Sequence, residues 1–142
     1  MAFLFTNTND MPAGYSGTPL VKKLGIKEGF RLRIINEPEN YFALLGDLPI
    51  GVSRVDSLAD FIHFFTKEKE ELIRVLPQLK LSLEKNGMLW VSWPKKASKV
   101  ATDVSDAAVR EAGLAIGLVD IKVCAVDEVW SGLKFVYRTK DR

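Results

Sequence analysis

The apolar residues of this chain change their spacing along its length, and each change predicts an element. Leu72, Leu76, Leu79 and Leu83 recur at helical intervals opposite Glu68, Lys69, Glu70, Glu71, Lys80, Glu84 and Lys85. This predicts a helix over 67–85 with a solvated outer face, kinked or split at Pro77 and stopped by Asn86-Gly87. Thr18-Pro19 predicts a shorter helix: a hydroxyl cap, then proline at the first helical position, running over 20–24 and ending at Gly25. Pro38 opens another over 39–45, closed by Gly46, and a fourth is predicted over 105–116, weakened by Gly113 and capped by Gly117.

Between these helices the spacing shortens to that of strands. Residues 30–36 alternate Leu32 and Ile34 with Arg31 and Arg33, residues 60–66 are apolar on both faces, and 88–93 are apolar and aromatic. Further strands are predicted over 119–126 and 133–138, with Ser131-Gly132 in the turn between them. The β-α-β alternation argues for an α/β three-layer sandwich. Its sheet would be mainly parallel, and the last two strands, so closely joined, must form an antiparallel hairpin. The comparison is with a truncated, Rossmann-like sheet of the methyltransferase type, at the level of fold only. The segment 52–55 resists it. Only four residues, Asp56 to Ala59, link it to the strand at 60–66, too few for a crossover helix, so an edge strand of undetermined direction or no strand is expected. Residues 1–16 read as a flexible arm and 17–142 as a single domain.

If the strands at 30–36, 60–66, 88–93 and 119–126 are parallel, their carboxyl ends share the edge where such sheets bind ligands. The chain there runs Trp93-Pro94-Lys95-Lys96-Ala97-Ser98, delivering two cations, while Asp127-Glu128-Val129-Trp130-Ser131 follows the last of the four. Trp93, Lys95, Lys96, Ser98, Asp127, Trp130 and Ser131 are therefore the candidate ligand residues, for a small polar ligand with a flat ring. Plainer readings stand beside this one: a solvated lysine loop, Trp93 closing the core, Trp130 covered by the arm or a helix. His63, inside a central apolar strand, reads as a satisfied core histidine, and Cys124 as a small buried hydrophobe.

Composition narrows the chemistry. At 142 residues with a net charge of +2, the chain has one domain's length and too little charge to argue for nucleic acid or a membrane by itself. One cysteine and one histidine exclude an internal disulfide and a cysteine- or histidine-cluster metal site. No apolar run approaches the ~20 residues of a membrane span, and the first ten residues lack a basic leader, so a reducing, cytoplasmic setting is expected. The turn after the first strand, Asn36-Glu37-Pro38-Glu39-Asn40, has no glycine to admit a ligand's phosphates or adenosine, one proline without an N–H and two carboxylates. A dinucleotide or adenosylmethionine site in that turn is disfavoured, a phosphate-binding P-loop motif is absent, and no cofactor or metal is expected. Gly14-Tyr15-Ser16-Gly17 follows no strand and is not a nucleophile elbow.

Several segments occur together: Gly14 to Leu20, Lys22 to Ile26, Trp93 to Ser98, Val109 to Leu114, Val119 to Asp127 and Trp130 to Val136. Jointly they resemble a widespread bacterial family of domains of unknown function, over nearly the whole chain after residue 13. The resemblance implies a small, stand-alone intracellular α/β protein and no particular activity. It marks Tyr15, Ser16, Thr18, Lys95, Lys96, Ser98, Trp130, Ser131 and Lys134 as signature candidates, with Tyr15, Ser16 and Thr18 as lid residues should the arm fold over the edge.

Three functions remain open. The leading one is a non-catalytic or degenerate Rossmann-like module binding a small anionic or nucleotide-like ligand at the carboxyl edge. The second is an enzyme pairing Lys95 or Lys96 with Asp127 or Glu128. The third is an adaptor for RNA or protein, using the lysines of 95–99 beside tryptophan; the near-neutral charge makes nucleic acid unlikely.

Overall fold

A computed structural model describes residues 18–142; the expected arm and the lid candidates Tyr15 and Ser16 lie outside them, and Thr18 is the first residue described. Six strands form one sheet: β1 (Arg31–Ile35), β2 (Ser53–Arg54), β3 (Ala59–Phe65), β4 (Leu83–Pro94), β5 (Leu118–Ala125) and β6 (Trp130–Tyr137). Their order is β2-β1-β3-β4-β6-β5. The first four are mutually parallel, and β6 lies antiparallel between β4 and β5. Helices α1 (Leu20–Leu24) and α2 (Tyr41–Leu45) pack on one face, α3 (Lys69–Leu81) and α4 (Asp106–Ala115) on the other. This is the α/β three-layer sandwich expected, mainly parallel and ending in an antiparallel hairpin.

Strand alternation sorts the core into two halves. Ile62, Phe64, Leu89, Val91, Leu133 and Phe135 face α3 and α4. Leu32, Ile34, Phe61, Phe65 and Trp90 face α1 and α2, and the Trp90 indole N–H donates to the Leu24 carbonyl at 2.9 Å, pinning the end of α1 to the sheet. The 52–55 segment is an edge strand parallel to β1. Because β2 is two residues long, Arg54 and Phe61 both stand level with Leu32. Along the strand axis the link to β3 therefore has almost no distance to recover; it has only to pass across β1, and no helix is needed.

Four boundaries differ from the sequence expectation. α3 runs unbroken through Pro77 but ends at Leu81. Pro77 lies on the exposed side near exposed Ile73, where the carbonyl it leaves unpaired can meet water. Leu83 is in β4, opposite Ala59, and the register then jumps to Met88 opposite Phe61. Asn86-Gly87 thus sits in a bulge rather than at a helix end, and a Cβ on Gly87 would stand 2.7 Å from the Asp60 carbonyl oxygen. Leu83 is buried either way, so the leucine stripe could not tell strand from helix there. β6 begins at Trp130, so Ser131 and Gly132 belong to the strand. The turn before it is closed by Asp127, whose Oδ1 accepts from the N–H groups of Val129 (2.9 Å) and Trp130 (2.7 Å). The last difference is small: α2 starts two residues later than expected, while α1 spans Leu20–Leu24 as expected, with Pro19 rather than Thr18 in the capping place.

Gly113 does more than weaken α4. It is buried, and a Cβ there would fall inside the Phe135 ring of β6, so its absence sets how closely helix and sheet approach. Gly113→Ala should lower unfolding stability by about 1–3 kcal/mol in urea despite alanine's better helix propensity. A neutral or stabilising result would show that the helix can shift without loss.

Candidate functional site

The carboxyl ends of β1, β3 and β4 and the β5–β6 turn share one edge, as the parallel arrangement requires. Lys95 and the turn are direct neighbours there: the Lys95 N–H donates to the Val129 carbonyl at 2.7 Å. Among the described residues the edge nevertheless carries two cavities rather than one. Trp93 pairs with Ser131 and Pro94 with Trp130. Alternation therefore turns Trp93 and Ser131 toward α4, and Trp130 toward the opposite face, where its ring meets Phe65 edge-on at 5.0 Å. Among the described residues the two indoles line separate cavities.

The first cavity, of 410 Å³, lies between the ends of β1 and β3, where the strand order reverses. Such a reversal is the usual ligand position in an open α/β sheet. Its walls include Asn36, Glu37, Pro38, Thr66, Glu71 and Trp130. Asn36 stands in the left-handed region, φ 60°, at the place after β1 where a glycine would otherwise serve. Its amide donates to the Phe65 carbonyl and to Glu71, and Glu71 also accepts from the Thr66 hydroxyl at 2.6 Å. Glu37 is paired with Arg54 at 2.7 Å. Burial, the largest single effect, would raise the Glu37 carboxyl, but the Arg54 hydrogen bond, a hydrogen bond to its own backbone and the Arg54 charge together outweigh it and hold the group below its ordinary range. Asn36, Glu37, Thr66 and Glu71 are committed to polar partners, the side chains of Lys67 and Glu68, which also line the cavity, have none among the described residues, and Pro38 has no N–H to offer. These residues do not fit the glycine cradle by which an adenosine cofactor meets bare backbone.

The second cavity, of 570 Å³, brings together four sequence candidates: Trp93, Lys95, Lys96 and Ser131. Thr102, Asp103, Ser105 and Asp106 complete it, and sequence reasoning missed them as site residues. Ser105 was legible as a helix cap, and its hydroxyl does accept from the Ala108 N–H at 3.2 Å. What the sequence did not reveal is that this helix start returns to the lysine loop. The loop is tied down. Ser98 Oγ donates to the Lys95 carbonyl at 2.7 Å, Thr102 donates to the Lys67 carbonyl at 2.7 Å, and Asp103 Oδ1 accepts from the Lys69 N–H at 2.7 Å. Asp103 thereby caps α3 from a distant segment. Ser98 has a turn-forming role and does not line the cavity. Asp127 and Glu128 line neither cavity, and Asp127 Oδ1 is already bound to the two turn N–H groups.

Beneath the edge, His63 is fully buried. Its Nδ1 lies 2.8 Å from the Tyr41 hydroxyl and its Nε2 2.8 Å from Ser92 Oγ, with the ring stacked on Phe65 at 4.2 Å. Burial depresses it to about 3 and raises the Tyr41 phenol. It is a satisfied, neutral core histidine joining β3, β4 and α2. Among the described residues no His, Cys, Asp and Glu cluster could hold a metal, and no helix is long and apolar enough to cross a membrane.

A family model described as a protein of unknown function, DUF3052, matches residues 51–139. No functionally curated protein matches the sequence. Among solved structures, an S-adenosylmethionine-dependent methyltransferase from Aquifex aeolicus is similar at 15% identity and TM-score 0.59, over 82% of this chain and 86% of that one. Aeropyrum pernix fibrillarin in complex with S-adenosyl-L-methionine is similar at 14% identity and TM-score 0.54, over 87% and 70%. Magnesium protoporphyrin IX methyltransferase from Synechocystis PCC 6803 is similar at 10% and 0.54, over 84% and 74%. At these identities the likeness establishes a methyltransferase Rossmann-like fold and no activity.

Two outcomes are expected. The His63 value in the folded state lies below the ordinary 6.5, so the unfolded chain takes up the proton first. Its stabilising contribution is complete above about pH 6.5 and falls by about 1.4 kcal/mol per pH unit as acid is added, until pH approaches 3. Denaturant unfolding from about pH 7.5 to about pH 5 should show this decline before the carboxylates titrate; a flat profile would contradict it. Asp103→Ala should remove about 0.5–2 kcal/mol by uncapping α3, read as a lower urea midpoint at unchanged slope.

Proposed function

The chain belongs to the DUF3052 family of proteins of unknown function, and we propose that it acts as a non-catalytic Rossmann-like module. It binds a small anionic or nucleotide-like ligand in the cavity between the Trp93–Lys96 segment and the start of α4. The observation that carries this reading is the convergence of Trp93, Lys95, Lys96 and Ser131 in one 570 Å³ space. Two ammonium groups on a tethered loop, the hydroxyls of Ser131 and Ser105, and the Trp93 indole suit an anion attached to a flat ring. Asp103 and Asp106 on the far wall favour a ligand that also carries hydrogen-bond donors.

The switch-point cavity supports the same reading by contrast. Its three carboxylates, Glu37, Glu68 and Glu71, outnumber its one lysine, Lys67, and its turn has a proline and no glycine, so it suits phosphate and a glycine-dependent cofactor less well than the second cavity does. An enzyme built on Asp127 gains no support, because that carboxylate holds the β5–β6 turn.

Thermal-shift screening against nucleoside mono- and triphosphates and small dicarboxylates tests this. A ligand at about a hundredfold excess over its Kd should stabilise the protein by about 2.7 kcal/mol, a shift of several degrees. Lys95→Ala/Lys96→Ala should abolish the shift. A ligand that stabilises wild type and double variant equally would move the site elsewhere.

A further inference from the structure

Away from the carboxyl edge, four lysines gather on the α1 face of the β5–β6 hairpin. Lys122 and Lys134 are directly opposed across the two strands, with both side chains on the face that carries Trp90. Like charges so placed destabilise a sheet. Lys122 Nζ lies 3.3 Å from the Lys23 carbonyl, and Lys23 Nζ donates to the Ala125 carbonyl at 2.8 Å. Lys134 reaches under the turn that ends α1: a Cβ on Gly25 would stand 3.7 Å from its Nζ. Burial, then the charges of Lys122 and Lys27, hold Lys134 below its ordinary range.

Among the described residues none of these lysines forms an ion pair, and neither Lys27 nor Lys134 has a hydrogen-bond partner through its ammonium group. The neighbouring carboxylates do not compensate. Asp120, adjacent on β5, is turned to the other face and paired with Arg110, and Glu28 is exposed beside Lys27. Interaction with the carbonyl end of α1 accounts for Lys122. It does not account for Lys134, a half-buried cation facing another cation. Three of the four lie in segments that carry the family resemblance, Lys23 in Lys22 to Ile26, Lys122 in Val119 to Asp127 and Lys134 in Trp130 to Val136.

We propose that Lys27, Lys122 and Lys134, flanked by Lys23, form a second anion site that takes a small molecule bearing a polyphosphate. Several ammonium groups from two strands and a loop need a multivalent anion to neutralise them, and each retains N–H donors for phosphate oxygens. A single-stranded nucleic acid fits less well. It needs exposed aromatic rings for its bases, and Trp90, the indole nearest these lysines on the sheet, is fully buried. Lys134 is recessed, within reach of a slim phosphate chain.

The test is isothermal titration of inorganic tripolyphosphate at low salt, performed in the Lys95→Ala/Lys96→Ala background so that the carboxyl edge contributes nothing. Saturable one-to-one binding is expected, weakened at least about tenfold by adding Lys122→Gln and Lys134→Gln. Absence of binding, or equal binding by the variant, would overturn the site without touching the reading of the carboxyl edge. Binding of a mixed-sequence single-stranded RNA but not of tripolyphosphate would replace it with a nucleic-acid surface. Without ligand, the Lys134→Gln protein should melt at the same temperature as its parent or higher, since a repulsion is removed. Melting several degrees lower would show that the lysine is structural; should the double change prevent folding, Lys122→Gln alone at the exposed position must still weaken tripolyphosphate binding.

Discussion

One strand, β6, decides which residues of this protein can act together. It runs against the grain of the sheet between β4 and β5, and the pleat sends its side chains alternately to the two faces. Ser131, Leu133 and Phe135 go toward α3 and α4; Trp130, Gly132 and Lys134 go toward α1 and α2. A shift of one residue in its pairing would exchange the two sets and put a lysine in the larger core. The division of the carboxyl edge, the fit of α4 on Phe135 and the opposition of Lys122 to Lys134 all follow from this one register.

The polar interior obeys the same discipline. A histidine in the middle of a sheet is costly unless both ring nitrogens are satisfied. Tyr41 and Ser92 satisfy them from a helix on one side and a strand on the other. The three groups fix the rotation of α2 against β3 and β4 in a way that apolar contacts alone, being non-directional, would not. The same need for partners explains the switch point, where Asn36, Thr66 and Glu71 bond to one another at the mouth of the fold.

The sequence made the layers, the parallel direction of four strands and the final hairpin legible, because each rests on local periodicity and on the lengths of connections. The lack of a glycine after β1 was also legible, and Asn36 at a positive φ shows how the chain manages without one. The end of α3 was not, because a buried leucine satisfies a helix stripe and a strand equally well. Nor was the separation of Trp93 from Trp130: it depends on the start of β6, three residues earlier than Gly132 suggested to a reader looking for a turn. Asp103, Thr102 and the start of α4 escaped because their place beside the lysines is set by contacts with Lys67 and Lys69, across more than thirty positions of chain that no pattern connects.

Those contacts bear on how the edge would receive a guest. A surface loop left to itself forfeits roughly 1–2 kcal/mol of backbone freedom for every residue it must freeze. Here the stretch from Pro94 to Val104 is already stitched to the shoulder of a helix. Capture of the proposed ligand would then ask only that two long side chains settle against a wall already fixed.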